Sequence, residues 1–239
     1  MTNVDSCIGG GYNAPMRRKL QEAIMSAPDL PVGFIELEYL ESSGTQYLLI
    51  DEPFKQGTGV YVDVHLTDSR LAQNGYYLYI YTLMFNQSYR LYAGLNGTAR
   101  QIHNDEYGNW GSLLKAYSSD GRYSVGYNFR NSGQKILTTS AGTYTQAITA
   151  GYVKSASKFP LYGTWREDTG AGSPRQGTQR VFSLQMTQDD VVTRDLVPVL
   201  DAAGTPCLHD KISRQCFRNL GTGTFGYKIK ATGETVAPT

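Results

Sequence analysis

Three glutamates near the start of the chain have the types and spacing that acid–base chemistry on a sugar requires. The segment 36–41 reads ELEYLE and places them at Glu36, Glu38 and Glu41. Enzymes that cleave glycosidic bonds with retention hold two carboxyl groups about 5–5.5 Å apart. In a strand Glu36 and Glu38 face the same way, whereas Glu41 faces the opposite way unless a β-bulge intervenes. Because so short a pattern recurs by chance, we interpret the segment as an ordinary strand and predict no catalytic residue.

Two predicted loops, at residues 103–112 and 166–177, carry side chains suited to sugar binding. Sugars are held by flat aromatic faces together with polar side chains that fix the hydroxyl groups. The candidate glycan-binding residues in and next to these loops are Asn104, Asp105, Tyr107, Trp110, Trp165 and Asp168. The alternative, which stays open, is that both tryptophans cap a hydrophobic core or lie in an interface between subunits.

Other catalytic or metal-binding patterns are missing from the sequence. His65, His103 and His209 are far apart and show no zinc-ligand spacing, and no nucleophile or phosphate-binding motif is present. Cys207 and Cys216 flank a predicted hairpin centred between residues 211 and 212, which would set them directly opposite each other. We interpret them as reduced thiols packed as small hydrophobic residues; a disulfide is the alternative.

The composition predicts many strands joined by many turns. The chain has 239 residues, and 22 Lys and Arg against 21 Asp and Glu give a net charge of +1. Charged residues make up 18%, below the roughly 25% of ordinary domains, while 26 glycines and 18 tyrosines favour turns and strands. The balanced charge argues against nucleic acid as a partner, and no apolar run approaches the ~20 residues of a membrane span. The first thirty residues lack the apolar stretch of a signal peptide, so we expect no export by that route.

Residues 1–33 differ from the rest and predict a short helical arm. Apolar residues at helical spacing form one stripe, made of Met16, Leu20, Ala23 and Ile24. A helix of about ten residues is not stable alone, so something must cover this stripe. We predict that the arm docks on a neighbouring subunit or another protein; docking on its own domain is the alternative.

From residue 34 onward the pattern is that of β-strands. Residues 58–66 read TGVYVDVHL, a strict alternation typical of a strand with one buried face. Further strands are predicted at 75–85, 89–95, 122–129, 134–139, 143–149, 159–164, 179–187 and 191–197. Many short strands without helices between them predict an all-β domain at residues 34–230, a two-sheet sandwich of jelly-roll type. Residues 231–239 are small and polar and are predicted to form a tail, not a strand.

Three segments together resemble a known family. They are FIELEYLESSGTQYLLID at 34–51, FPLYGTWR at 159–166, and the block from RVFSLQM to GTGTFGY at 180–227. This set is similar to the concanavalin A-like, or laminin G-like, lectin domains of gut-bacterial surface proteins and of the head and tail proteins of their phages. The resemblance implies a concanavalin A-like jelly-roll β-sandwich, and it specifies a fold and not a chemistry.

The resemblance also implies a function, which is an expectation at this stage. It implies a non-enzymatic structural or adhesion component of a bacteriophage virion, in a head, fibre or tail, assembled in the host cytoplasm. Its partners would be other virion proteins or copies of itself, with host-surface glycans as ligands. No cofactor is expected. Such domains often bind Ca²⁺ at a sheet rim, for which Asn104, Asp105 and Glu106 together, or else Asp168, would be the donors, but we interpret these as ordinary polar loop residues. The alternatives are a bacterial surface glycan-binding module and a glycoside hydrolase of the β-glucanase type.

Overall fold

The computed structural model describes residues 30–66, 78–84, 88–96, 99–105, 115–116, 121–128, 134–139, 142–147, 157–166, 169–174 and 179–239. Within these residues the chain is all-β and has no helix, as composition and alternation predict from residue 34 onward. No helix in the described part therefore has the length and apolar character of a membrane span. The predicted arm helix, with its stripe of Met16, Leu20, Ala23 and Ile24, lies outside the described residues.

The described residues form nineteen strands, numbered in chain order. Their bounds are β1 Ile35–Glu41, β2 Leu48–Ile50, β3 Thr58–Leu66, β4 Leu78–Met84, β5 Ser88–Asn96, β6 Ala99–Asp105, β7 Lys115–Ala116, β8 Gly121–Asn128, β9 Gln134–Thr139, β10 Gly142–Ala147, β11 Phe159–Leu161, β12 Gly163–Arg166, β13 Ala171–Pro174, β14 Arg180–Gln188, β15 Val191–Leu200, β16 Pro206–Asp210, β17 Cys216–Arg218, β18 Gly226–Ile229 and β19 Thr235–Val236. The bounds of β3 and β9 are those predicted from the sequence.

These strands form three sheets. In the largest, which has eleven strands, nine follow in the order β10-β9-β8-β3-β14-β1-β15-β16-β17, and β18 pairs with β1 and with β19. The strand pairs of this sheet are antiparallel. A six-stranded sheet has the order β13-β12-β4-β5-β6-β7, with β12 and β4 parallel, and β2 and β11 form a separate pair.

One hydrophobic core joins the large sheet to β2, β11 and β12. The alternation of β3 buries Val60, Val62 and Val64 and leaves Tyr61 and Asp63 half-buried on its other face. The smaller strands contribute Leu48, Ile50, Phe159, Leu161 and Trp165 to the same core. We call the face of the large sheet that is turned away from this core the outer face.

The strand predicted at 159–164 is two strands, separated at Tyr162. Tyr162 has a φ of 60°, a left-handed conformation that is uncommon for a bulky residue. Its side chain is fully buried, and its hydroxyl donates a 2.8 Å hydrogen bond to the carbonyl of Leu40 in β1. Burial raises the pKa of this hydroxyl well above its usual value, so it stays a neutral donor. The bend at Tyr162 thus ties the β11–β12 segment to the large sheet.

Three other segments differ from the sequence prediction. The loop predicted at 166–177 contains β13, and the loop predicted at 103–112 begins with the last residues of β6. The tail predicted at 231–239 contains β19, which pairs Val236 with Tyr227 of β18. Side-chain composition did not reveal this strand, because backbone hydrogen bonds to the second edge of β18 do not depend on side chains.

The β16–β17 hairpin is out of the predicted register. Cys207 lies opposite Arg218, and His209 lies opposite Cys216, so the two cysteines are diagonal and not direct neighbours. Asp210 supplies the physical reason, since its carboxylate accepts hydrogen bonds from two backbone amides of the turn that follows β16 and so defines that turn. Both thiols are free.

Two of the segments that carry the family resemblance contact each other. The side-chain oxygen of Asn219 accepts hydrogen bonds from the backbone amides of Tyr47, at 3.2 Å, and Gly221, at 2.8 Å. A Cβ atom at Gly221 would overlap the carbonyl oxygen of Thr45, so glycine is required there by close packing of two backbones. The GTQY and NLGTG motifs therefore occur together for a structural reason.

Candidate functional site on the outer face of the large sheet

Two β-bulges lie in adjacent strands of the large sheet. In β1 the pairing with β18 shifts by one residue between Leu37 and Tyr39, and in β14 the pairing with β3 shifts between Val181 and Ser183. A bulge inserts one residue and changes which face the following side chains occupy. The side chains beside the two bulges therefore depart from strict alternation.

The bulge in β1 decides where its three glutamates point. Leu37 and Leu40 both lie in the core although they are three positions apart, so the alternation changes between them. Glu36, Glu38 and Glu41 consequently share the outer face. The sequence alone places Glu41 with the other two only if a bulge intervenes, and the structure contains that bulge.

Tyr39 and Phe182 meet on the outer face, and each ring is covered by an arginine. The two rings pack edge to face with centroids 5.7 Å apart. The guanidinium carbon of Arg122 lies 3.8 Å from the Phe182 centroid, and that of Arg180 lies 4.7 Å from the Tyr39 centroid. We call these four side chains the bulge cluster. Only 5% of Tyr39 is exposed, although it belongs to the outer face.

Carboxylates fix both arginines of the bulge cluster. Asp63 accepts two hydrogen bonds from Arg122, of 2.8 and 2.6 Å, in a bidentate arrangement. Arg180 donates a 3.1 Å hydrogen bond to Glu41. The hydrogen bond with Asp63 raises the pKa of Arg122 above its ordinary value. Since 55% of the Arg122 side chain and 34% of the Arg180 side chain remain exposed, both cations are fixed and yet accessible.

The other two glutamates of β1 are paired with lysines. Lys230 lies 2.7 Å from Glu36, and Lys228 lies 2.6 Å from Glu38. Each of the three glutamates of β1 therefore has a cation of its own. All three glutamates are thus held in ion pairs with neighbouring side chains.

The outer face presents fixed donors and acceptors beside aromatic groups. Tyr61 and His65 of β3 are half-buried on this face, opposite Gln185 and Arg180 of β14. Guanidinium and carboxylate groups bind hydroxyl groups with defined geometry, and aromatic side chains pack against the C–H faces of sugar rings. This face is chemically suited to bind a polyhydroxyl ligand.

The structure places only part of the predicted glycan-binding set. Asn104 and Asp105 are the last two residues of β6. Trp165 lies in β12 and belongs to the core, with 7% of its surface exposed, and the ammonium nitrogen of Lys158 is 5.8 Å from its ring centroid. This burial favours the alternative interpretation, in which Trp165 packs against the core. The remaining predicted residues, Tyr107, Trp110 and Asp168, lie outside the described residues.

The calcium donors expected from the resemblance are described in part. Glu106 and Asp168 lie outside the described residues, while Asn104 and Asp105 end β6. In the part of the chain that the structure covers, no group of three or more His, Cys, Asp or Glu side chains is arranged to hold a metal ion.

Sequence reasoning did not single out the bulge cluster. One signal is present in the printed sequence: core positions in both bulged strands are spaced by three, at Leu37 and Leu40 in β1 and at Val181 and Leu184 in β14. Regular strands repeat with a period of two, so this spacing marks an inserted residue. The signal locates a bulge but does not say which side chains meet beside it.

Comparisons with known proteins assign no family to the chain. No family model matches it, and no curated protein is similar enough to count as a relative. Two solved structures of scytalido-glutamic peptidase align with it at a TM-score of 0.30; one carries a transition-state analogue inhibitor and the other a peptide-based transition-state analogue. The alignment with the first has 9% sequence identity and spans 66% of this chain and 83% of the peptidase chain. The alignment with the second has 10% identity and spans 71% of this chain and 89% of the peptidase chain. Similarity this low supports no conclusion about fold or activity.

Proposed function

We propose that the protein is a non-enzymatic structural and adhesion component of a bacteriophage virion, in its head, a fibre or its tail. In this proposal the domain is a concanavalin A-like jelly-roll β-sandwich. Residues 1–33 dock it on other virion proteins or on copies of itself, and the outer face of the large sheet contacts host-surface glycans. The protein is assembled in the host cytoplasm and needs no cofactor.

The observation that carries the non-enzymatic part is the pairing of the β1 glutamates. Glu36, Glu38 and Glu41 share one face, as a catalytic set would require, but each is bound to a separate cation. The neighbouring bulge cluster adds two accessible guanidinium groups held by carboxylates. Fixed, oppositely charged hydrogen-bonding groups suit the binding of hydroxyl groups.

The virion assignment is supported by the resemblance of residues 34–51, 159–166 and 180–227. The contacts of Asn219 with Tyr47 and Gly221 give two of these segments a shared structural role. The lectin-like type of domain is frequent in phage head and tail proteins, which motivates the choice of a particle over a free enzyme.

A glycan array tests the adhesion part. We expect the wild-type protein to bind at least one class of bacterial surface glycan, and the double variant Arg122→Ala, Arg180→Ala to bind it at least tenfold more weakly. Lys211→Ala is the matched control, because it removes a cation from a surface ion pair with Asp195 outside the bulge cluster. Equal binding by the double variant and the control would remove the outer face from the proposal, and binding to no glycan would leave a purely structural role.

A particle-incorporation assay tests the docking part. Deletion of residues 1–33 is expected to abolish incorporation into particles while the remaining domain stays folded, as shown by a cooperative thermal transition. If the shortened protein enters particles at wild-type occupancy, the arm is not the docking element. Release of reducing sugar from a β-glucan, lost in both Glu36→Gln and Glu38→Gln, would establish the hydrolase alternative instead.

A further inference from the structure

A cysteine–histidine group lies at one end of the large sheet, away from the bulge cluster. Cys207 and His209 are two positions apart on β16, so they share a face, and Cys216 on β17 lies opposite His209. Leu208 and Phe217, the residues between and opposite them, belong to the hydrophobic core. The two thiols and the imidazole are therefore on the side of the sheet turned away from the core.

The strand pairing brings the three side chains together. The Cys216 sulfur is 3.7 Å from Nδ1 of His209. Cys207 is the diagonal neighbour of Cys216 across the strand pair. His209 is fully buried, its ring packs edge-on with Phe34 at a centroid distance of 5.3 Å, and its Nε2 has no hydrogen-bond partner within the described residues.

We propose that Cys207 and Cys216 are an oxidisable pair, free thiols at rest, which a hydroperoxide converts into a disulfide with His209 as the proton acceptor. This inference goes beyond the proposed function and does not depend on it. Cys207 is fully buried whereas Cys216 is half-buried on β17, a three-residue strand at the end of the sheet path, so Cys216 is the thiol that meets the oxidant.

The reaction balances with one molecule of hydrogen peroxide. Cys216 passes its proton to Nδ1 of His209, its sulfur attacks one peroxide oxygen, and the O–O bond breaks; the leaving oxygen takes the proton and departs as water. The sulfur of Cys207 then attacks the sulfur of the Cys216 sulfenic acid, the S–O bond breaks, and the released hydroxide takes the Cys207 proton as a second water. The two thiols lose two electrons and two protons in all.

Local electrostatics favours protonated thiols and a neutral imidazole. Burial raises the pKa of both Cys207 and Cys216, so the neutral thiol dominates at neutral pH. Burial, reinforced by the nearby charge of Arg214, lowers the pKa of His209, so its ring is neutral and can accept a proton.

The test uses the full chain with Cys7→Ser, so that only the two cysteines of the pair remain. After treatment with hydrogen peroxide we expect a mass loss of about 2 Da from the two hydrogens removed, no titratable thiol after denaturation, and one peptide linkage between Cys207 and Cys216. The melting temperature should rise by roughly 5–10 °C, because the closed loop restricts the unfolded chain. Free thiols, oxygen addition to Cys216 without a linkage, or a disulfide between two chains would each overturn the proposal.

Two variants separate the pair from general oxidation. Cys207→Ser leaves Cys216 without a partner, and we expect it to gain oxygen on Cys216 instead of forming an internal disulfide. His209→Asn should form the same linkage at least fivefold more slowly, with its folding checked by circular dichroism. An unchanged rate in His209→Asn would overturn the assignment of His209 as proton acceptor.

Discussion

Asp201, before β16, and Asp210, the last residue of β16, each accept hydrogen bonds from at least two backbone amides. Glu36 and Glu38 on the outer face instead form ion pairs with lysine side chains. Asp201 accepts from the amides of the β15–β16 turn at 3.0 and 2.9 Å, and Asp210 does the same beyond β16 while being fully buried. Glu36 and Glu38 are each nearly two-fifths exposed. Carboxylates of one chemical kind thus serve two different purposes in this molecule.

Carboxylates that bind backbone amides help to determine the fold, whereas carboxylates in exposed ion pairs are free to contact a ligand. A buried carboxylate that satisfies several backbone amides leaves them unpaired when it is removed. An exposed ion pair contributes little to stability, because water and salt screen it. Polar residues in the turns of the segment 180–227 should therefore control folding, and those of the outer face should control binding.

The largest effect is expected at Asp210. Its carboxylate accepts hydrogen bonds from the amide of Asp195 at 2.9 Å and from the hydroxyl of Ser213 at 2.6 Å, and it is 3.5 Å from Arg194. Asp210→Asn should lower the free energy of unfolding by about 3–5 kcal/mol, because it breaks a buried charged network. The measurement is urea unfolding followed by circular dichroism.

Asp195→Asn is the matched control, since the Asp195 side chain is 35% exposed and lies 3.6 Å from Lys211. It should change the free energy of unfolding by less than about 1 kcal/mol. Equal losses in Asp210→Asn and Asp195→Asn would erase the distinction between turn and surface carboxylates.

A pair of glycine substitutions gives the next largest effect. A Cβ at Gly221 would overlap the Thr45 carbonyl oxygen, whereas Gly204 has a φ of 79° and no atom within 4 Å of the added Cβ. Gly221→Ala should cost about 3 kcal/mol because two backbones must separate. Gly204→Ala should cost about 1 kcal/mol from conformational strain alone. Thermal unfolding of both variants measures the difference, and a smaller loss in Gly221→Ala than in Gly204→Ala would contradict the close contact.

Acid should weaken the turns at a defined pH. Burial alone would raise the pKa of Asp210, but the hydrogen bonds from the Ser213 hydroxyl and from the backbone outweigh it and hold the pKa below its usual value. The pKa of Asp201 is likewise lowered, since the amide of Thr205 and the Arg218 guanidinium outweigh its burial. The unfolded state then takes up protons first, so this stability is complete above about pH 4 and is lost as the pH falls through the folded pKa values.

Urea midpoints measured between pH 7 and pH 2.5 check this prediction. The decline below about pH 4 should be shallower in Asp210→Asn, because one of the two titrating groups is gone. An identical pH profile for the variant and the wild type would show that Asp210 does not contribute.

The smallest effect on stability is expected on the outer face. Glu38→Gln removes an ion pair with Lys228 in which both side chains are more than a third exposed. Its unfolding free energy should change by less than about 0.5 kcal/mol, and less still in 1 M salt. A decrease in the free energy of unfolding of more than about 2 kcal/mol would show that the ion pairs of the outer face are needed for folding.

Much of the all-β architecture could be predicted from local pattern, because alternation at residues 58–66 and turn residues elsewhere act over a few positions. The break at Tyr162 could not, since its hydroxyl binds the carbonyl of Leu40, which is distant in sequence. The pairing of β19 with the nearby β18 could not either, because it uses backbone hydrogen bonds that a side-chain pattern does not show. The prediction that Cys207 lies directly opposite Cys216 was wrong. Asp210 defines the turn between β16 and β17 through hydrogen bonds that residue spacing does not show.

The candidate site was harder to predict than the fold. The glutamates of β1 were found from the sequence, but their shared face depends on the bulge between Leu37 and Tyr39. The contact between Tyr39 and Phe182 joins residues of two strands far apart in the chain, and only the three-dimensional pairing of β1 with β14 brings them together.

We propose above all that the outer face binds a glycan and leaves it intact. The most direct measurement is titration calorimetry with the glycan selected on the array, followed by mass spectrometry of the glycan recovered after prolonged incubation. We predict saturable binding by the wild type, at least tenfold weaker binding by the Arg122→Ala, Arg180→Ala variant, and an unchanged glycan mass. A shortened glycan, or equal affinity of the two proteins, would contradict the account.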